Sequence, residues 1–201
     1  MKKFKYLLLC KWISINLFGI ELLLTAYFNG LVDIVRIADT TFITEAIFIL
    51  FLWGWTISAT KVWYIGKEID KIKDNVTSGW VTLYEKSLSI DIIESIKLKI
   101  INKIQIINWF SNVVVILGLV GTVVGFIIAL SGVDASVASD VSTIGPMVST
   151  LISGMKVALY TTLVGAIFHI WLSLNYFIVA SGASTLMSSI MENKKYKNGS
   201  V

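Results

Sequence analysis

The sequence is short of charge, of cysteine and of proline, and each shortage removes a class of protein. Only 15% of its 201 residues are charged, against roughly 25% in soluble domains, which excludes an ordinary water-soluble fold and also disordered and coiled-coil chains. The single cysteine, Cys10, has no partner for an internal bridge and no His or Cys neighbour at ligand spacing. Disulfide scaffolds and zinc sites are thereby removed, and no metal or other cofactor is expected. Pro146, Arg36 and His169 are each the only residue of their kind. No Ser-His-Asp arrangement, phosphate-binding loop or pair of catalytic carboxylates can be assembled, so the sequence reads as no enzyme, with no catalytic residue. The basic surplus, 17 against 13 acidic residues, is no nucleic-acid footprint, because membrane topology accounts for the lysines better.

What is present is apolar length. Hydrophobic residues make up 56% of the chain and the mean hydropathy is +0.80. Runs at 6–28, 42–65, 109–131 and 148–180 are each long enough to cross a hydrocarbon core of about 30 Å as a helix. Lysines crowd before residue 6, in 66–108 and after residue 180, whereas the remaining connections contain only Arg36 as a basic residue. Cytoplasmic loops retain positive charge, so both termini and the 66–108 loop are expected in the cytoplasm, with external loops at 29–41 and 132–147. Lys11 cuts short the apolar core that a signal peptide would need, so the first segment is read as a retained span. Ile93, Ile96, Ile100, Ile104 and Ile107 recur at three- and four-residue steps, predicting a cytoplasmic helix that flows into the third span, with a turn at Asn75 to Gly79 before it. The fourth span, too long for the bilayer, also projects into the cytoplasm, and 181–201 is a cytoplasmic tail. The expectation is an all-α integral membrane protein, one membrane domain over residues 1–201, with four spans.

Two helical stripes carry the functional information. Gly118, Thr122, Gly125, Ala129 and Gly132 fall on one face of the third span, and Ala158, Thr162, Gly165, His169, Ser173 and Tyr176 on one face of the fourth. Small residues let membrane helices approach closely, and Gly121 to Gly125 makes a GxxxG, so helix packing by Gly118, Gly121, Gly125 and Gly165 is one reading. In the other, the paired stripes line a central cavity with Thr122 and Thr162 as its polar points.

The run Gly118-Leu119-Val120-Gly121-Thr122-Val123-Val124-Gly125, followed by Ala158-Leu159-Tyr160-Thr161-Thr162-Leu163-Val164-Gly165, resembles the MotA/TolQ/ExbB proton channel family over roughly the last half of the chain. The resemblance implies a ring, a homopentamer in the bacterial inner membrane, around two copies of a single-span partner of the MotB/TolR/ExbD type. That partner supplies a membrane-embedded Asp which is protonated and released as protons pass. Thr122 and Thr162 match the family threonines that face the partner helix. The implied function is the channel-forming subunit of a motor or energy-transducing complex driven by the proton motive force. The alternative is a pore-forming or structural oligomer, holin-like, in which the stripes only hold helices together. Trp171 stands where many members carry a proline, and Lys156 and Val157 where some carry a glutamate. The 66–108 loop is too short for the cytoplasmic domain with which flagellar stators engage a rotor.

Among the intramembrane charges, Lys11 and Lys61 sit near cytoplasmic helix ends and read as snorkelling anchors. At 1.5 Å per residue Glu21 is about 10 Å and Lys156 about 12 Å from the outer ends of their helices. This matched depth predicts an ion pair, with a place on the proton path as the competing role for Lys156. His169, on the small stripe, is either a hydrogen-bonded interfacial residue or a proton relay. Trp53, Trp55, Trp63, Trp109 and Trp171 read as lipid anchors or packing residues, and Asp134 and Asp140 as solvated loop acids.

Overall fold

The computed structural model describes residues 3–73, 90–133 and 141–198. The turn expected at Asn75 to Gly79, and Asp134 and Asp140, lie outside the described residues. The described residues form five helices: α1 (Lys3–Phe28), α2 (Leu31–Ala38), α3 (Ile43–Lys73), α4 (Ile90–Ser131) and α5 (Val141–Asn198). Four of them are long and apolar enough to cross a membrane, over Leu7–Phe28, Ile43–Ile72, Leu98–Ser131 and Ile144–Met191. Helices satisfy this requirement because each backbone donor and acceptor pairs within its own segment, as hydrocarbon demands. The only proline lies in the second turn of α5, early enough for the helix to continue beyond it. At 1.5 Å per residue the 42 residues of α4 and the 58 of α5 extend about 63 and 87 Å, two to three times the hydrocarbon thickness.

The described residues fall into two compact units, and α1, α3, α4 and α5 each contribute a segment to both. The first unit comprises 1–19, 54–109 and 172–201. Its core joins Leu8 to Val62, Ile65, Ile69 and Ile72, to Ile100, Ile104 and Ile107, and to Val179, Leu186 and Ile190. The three isoleucines of α4 thus turn inward together, which the three- and four-residue spacing requires of a helix.

A polar cluster sits inside this apolar setting. Asn16 and Asn175 exchange side-chain hydrogen bonds, Asn16 Nδ2 donating to Asn175 Oδ1 at 2.9 Å and Asn175 Nδ2 to Asn16 Oδ1 at 3.3 Å. Trp55 Nε1 donates to Asn16 Oδ1 at 2.6 Å, and Trp12 Nε1 to Ser58 Oγ at 3.1 Å. Three helices are thereby tied at one level, since each amide satisfies what its partner would otherwise leave bare in apolar surroundings.

The second unit comprises 20–53 and 110–171. Phe51 stacks on Phe168 with ring centroids 4.3 Å apart and meets Trp171 at 5.0 Å, all three buried. Trp171 is therefore a packing residue, and α5 runs through it without interruption.

Residues 29–41, expected to form a loop, contain α2. Gly30 enters it at φ 72°, a left-handed conformation that costs glycine nothing and other residues about 1 kcal/mol or more. The chain leaves through Asp39, whose carboxylate accepts from Thr41 N–H at 2.9 Å, Thr41 Oγ1 at 2.6 Å and Thr44 N–H at 2.6 Å. Burial alone would push this carboxyl up, but the hydrogen bonds from Thr41 and Thr44 outweigh it and hold its pKa below the usual 3.8. A negative charge at the start of α3 is also favoured by the helix dipole.

Candidate functional site

The site is built where α4 and α5 meet. Gly125 has no room for a side chain: a methyl group there would lie 2.5 Å from Ala158 N and 2.6 Å from Gly154 O. Gly154 is closed in the same way by the backbone of Ala129, Gly121 by the side chain of Thr161, and Gly132 by Thr150. At the other end of the contact, added carbons on Gly118 and Gly165 would lie 3.1 Å from Thr161 O and 3.0 Å from Gly118 Cα. Pairs run from Gly118–Gly165 to Gly132–Thr150, rising along one helix and falling along the other, so the helices pack antiparallel with their backbones nearly touching. Neither glycine nor alanine loses side-chain entropy in such a contact, which is why small residues carry it.

Within the single chain the two stripes meet in the seam, as the packing reading of Gly118, Gly121, Gly125 and Gly165 has it. The faces fill one another within a single chain. The seam keeps Gly118, Gly125, Ala129 and Gly132 of the α4 stripe and Ala158 and Gly165 of the α5 stripe, but takes Gly121 in place of Thr122 and Thr161 in place of Thr162. Gly121 and Thr161 are buried in the seam, while Thr122 and Thr162 are half-buried beside it. Thr161 Oγ1 donates to Val157 O at 2.9 Å, inside its own helix. Thr162 Oγ1 crosses the contact to Gly118 O at 3.1 Å, and Thr122 Oγ1 donates to Leu119 O. Both hydroxyl protons are thus committed to carbonyls, and what Thr122 and Thr162 retain is lone pairs, so each can act toward a further group as an acceptor. Thr161 and Gly154 were missed in the sequence reading. The signal existed, because Gly154, Ala158, Thr161 and Gly165 follow one another at steps of four, three and four.

His169 is held against Ser111 of α4, its Nδ1 lying 2.9 Å from Ser111 O and 3.0 Å from Ser111 Oγ. Ser111 Oγ in turn donates to His169 O at 3.0 Å. A carbonyl can only accept, so the geometry assigns the proton of the neutral ring to Nδ1 and leaves Nε2 as the nitrogen able to take up another. The contact holds the half-buried ring in one orientation.

Lys156 and Glu21 are both exposed. The ion pair expected between them does not form within one chain: among the described residues the ion pair present is Lys71 with Glu68, at 2.8 Å. Matched depth along two helices says nothing of rotation about them, and each side chain points away from its own core. Lys156 instead borders a groove of about 700 Å³ with Tyr160, Ser153 and Ser149 of α5 and Ile34 and Ile37 of α2.

The arrangement defines a class before it defines a family: an all-helical multi-pass membrane protein in which two membrane-crossing helices are fused along a glycine seam. The chain belongs to the MotA/TolQ/ExbB proton channel family, whose sequence profile matches residues 84–192, more than half of its length and the whole of the seam. No curated protein and no solved structure gives a significant match.

Proposed function

We propose that this chain is the channel-forming subunit of an inner-membrane complex driven by the proton motive force, with five copies surrounding a single-span partner present in two copies. Both termini and 66–108 face the cytoplasm, into which α4 and α5 project. The observation that carries the reading is the position of Thr122 and Thr162, half-buried beside a seam too tight to admit a side chain at Gly125, with their protons already donated. Two acceptors on an apolar strip favour a group that can donate. A partner's aspartic acid is such a group when protonated and loses that match when it ionises, so its proton uptake and release are tied to where it stands on the strip. His169, with Nδ1 engaged by Ser111, serves as a relay through Nε2, and Lys156 as a fixed cation at the outer part of the path. The channel wall is then the strip beside the seam, repeated from copy to copy.

The second reading, a holin-like pore or structural oligomer, is favoured by the seam itself, which leaves no space between α4 and α5 within a chain. Co-expression with a neighbouring single-span protein carrying a membrane Asp, followed by native mass spectrometry, separates the two. A five-to-two assembly supports the motor subunit. A homo-oligomer that collapses the membrane potential without any partner overturns it. Within the assembled complex, Thr122→Val and Thr162→Val are expected to abolish proton-driven activity while leaving the mass unchanged, and full activity in both variants would remove the acceptor strip from the mechanism.

A further inference from the structure

Two charged side chains of the second unit, Glu21 and Lys156, remain without a partner among the described residues. Both are exposed and both lie within membrane-crossing segments, where charges are costly and pair with one another or face a polar interior. Their depths correspond. The seam sets Gly154 beside Ala129 and Ala158 beside Gly125, which puts Lys156 level with Ile127, about 6 Å inside the end of α4 at Ser131. Glu21 lies about 10 Å inside the end of α1 at Phe28. Successive spans alternate in direction, so both ends are on the same side of the membrane whichever way the chain is inserted. The difference of about 4 Å is within the reach of a lysine stem.

The surroundings of the two charges are complementary. Lys156 shares one face of α5 with Ser153 and Tyr160, and with Ile34, Ile37 and Ile152 they border the groove of about 700 Å³. Glu21 is not among the residues that line it. On α1, Glu21, Leu24 and Phe28 follow at steps of three and four, share one face, and are all exposed. One surface is an apolar groove with a cation, the other an apolar ridge with an anion.

We propose that Glu21 of one copy enters this groove on a second copy and pairs with its Lys156, with Leu24 and Phe28 set against the isoleucines. The hydroxyls of Ser153 and Tyr160 can donate to the carboxylate lone pairs that the ammonium leaves free. A second copy is the occupant that fits the count. Each chain brings one such acid and one such lysine, so a ring in which every copy meets the next pairs all of them, whereas a partner present in fewer copies would leave lysines bare. The two surfaces differ, so the contact is head-to-tail, the kind that closes into rings. The inference rests on the ring proposed above and adds which surfaces of neighbouring copies meet. Lys156 keeps its place at the outer part of the path, held there by a neighbour's carboxylate.

The test joins native mass spectrometry of the full chain to oxidative cross-linking in membranes. In a Cys10→Ser background, the chain carrying Glu21→Cys and Lys156→Cys is expected to give a ladder of disulfide-linked multimers on a non-reducing gel, and each substitution alone to run as a monomer. Glu21→Lys or Lys156→Glu is expected to lower the oligomer fraction at least about tenfold, since like charges then meet, and the two together to restore it. An oligomeric wild type without the ladder overturns the pairing and leaves the ring standing, as does an inserted double reversal that stays dissociated. A double-cysteine chain that links only within itself also overturns it. A wild type with no homo-oligomer overturns ring and pairing together. If the charge-reversed chains fail to insert, the double-cysteine chain still decides.

Discussion

At the residue scale the decisive positions are the ones with no side chain to see. Gly125→Ala would gain up to about 1 kcal/mol in helix propensity, but the added carbon meets backbone on α5 that cannot swing aside, and overpacking of this kind costs about 1–3 kcal/mol. A net loss of stability is expected, read as a lower unfolding midpoint in detergent. Gly145, in the same helix α5 as Gly154, meets nothing within 4 Å, so Gly145→Ala should be neutral or stabilising by up to about 1 kcal/mol. A reversed order would dismiss the seam. Asp39 gives a pH prediction with a definite sign. Its folded pKa lies below the unfolded 3.8, so its contribution to stability is fully present above 3.8 and is lost as pH falls through the folded value. Asp39→Asn should abolish that acid-dependent component and weaken the α2 to α3 turn at neutral pH, because the amide cannot accept at both ends. Hydrogen exchange at Thr41 and Thr44, compared between pH 6 and pH 3, reads both effects.

At the scale of elements, the long helices were legible because hydrophobic runs of this length have few structural alternatives in lipid. Helix α2 was not, since eight residues between two crossing helices read as loop by length, and its apolar face, Ile34 and Ile37, shows only once the helix is placed. The Asn16 and Asn175 pair was also missed. A single asparagine in an apolar run gives no sign of its partner when that partner is 159 positions away. The pair sets the register of α1 against α5, and the consequence is measurable. Asn16→Leu or Asn175→Leu alone removes the bonds between the two amides, leaves part of the remaining amide's hydrogen-bonding capacity unmet and should cost about 1–3 kcal/mol. The double substitution should cost less than the sum of the two, with a coupling of about 0.6–1.7 kcal/mol as found for polar pairs in membrane proteins. Strict additivity in a denaturant titration would mean that the two amides are independent.

For the whole molecule, the family and the membrane setting follow from residues whose order and spacing are enough, the two Gly–Thr runs together with four apolar segments and the lysines between them. Which residue of each run faces which helix did not follow. Gly118 reaches Gly125 by steps of three and four through Gly121, or four and three through Thr122. Ala158 reaches Gly165 equally through Thr161 or Thr162. Both routes obey helical periodicity, so spacing alone has no means of choosing. Only packing in three dimensions chose Gly121 and Thr161 for the seam, because a second backbone occupies the space where a larger side chain or a differently rotated threonine would have to sit. That choice leaves Thr122 and Thr162 half-buried beside the seam, their hydroxyl protons donated to Leu119 O and Gly118 O. Composition and spacing therefore determined that the chain is helical, membrane-crossing and of this family, since hydrocarbon admits few alternatives. Tertiary structure decided the rotation of each helix about its axis, because rotation is set by contact between backbones and not by the sequence of either helix alone.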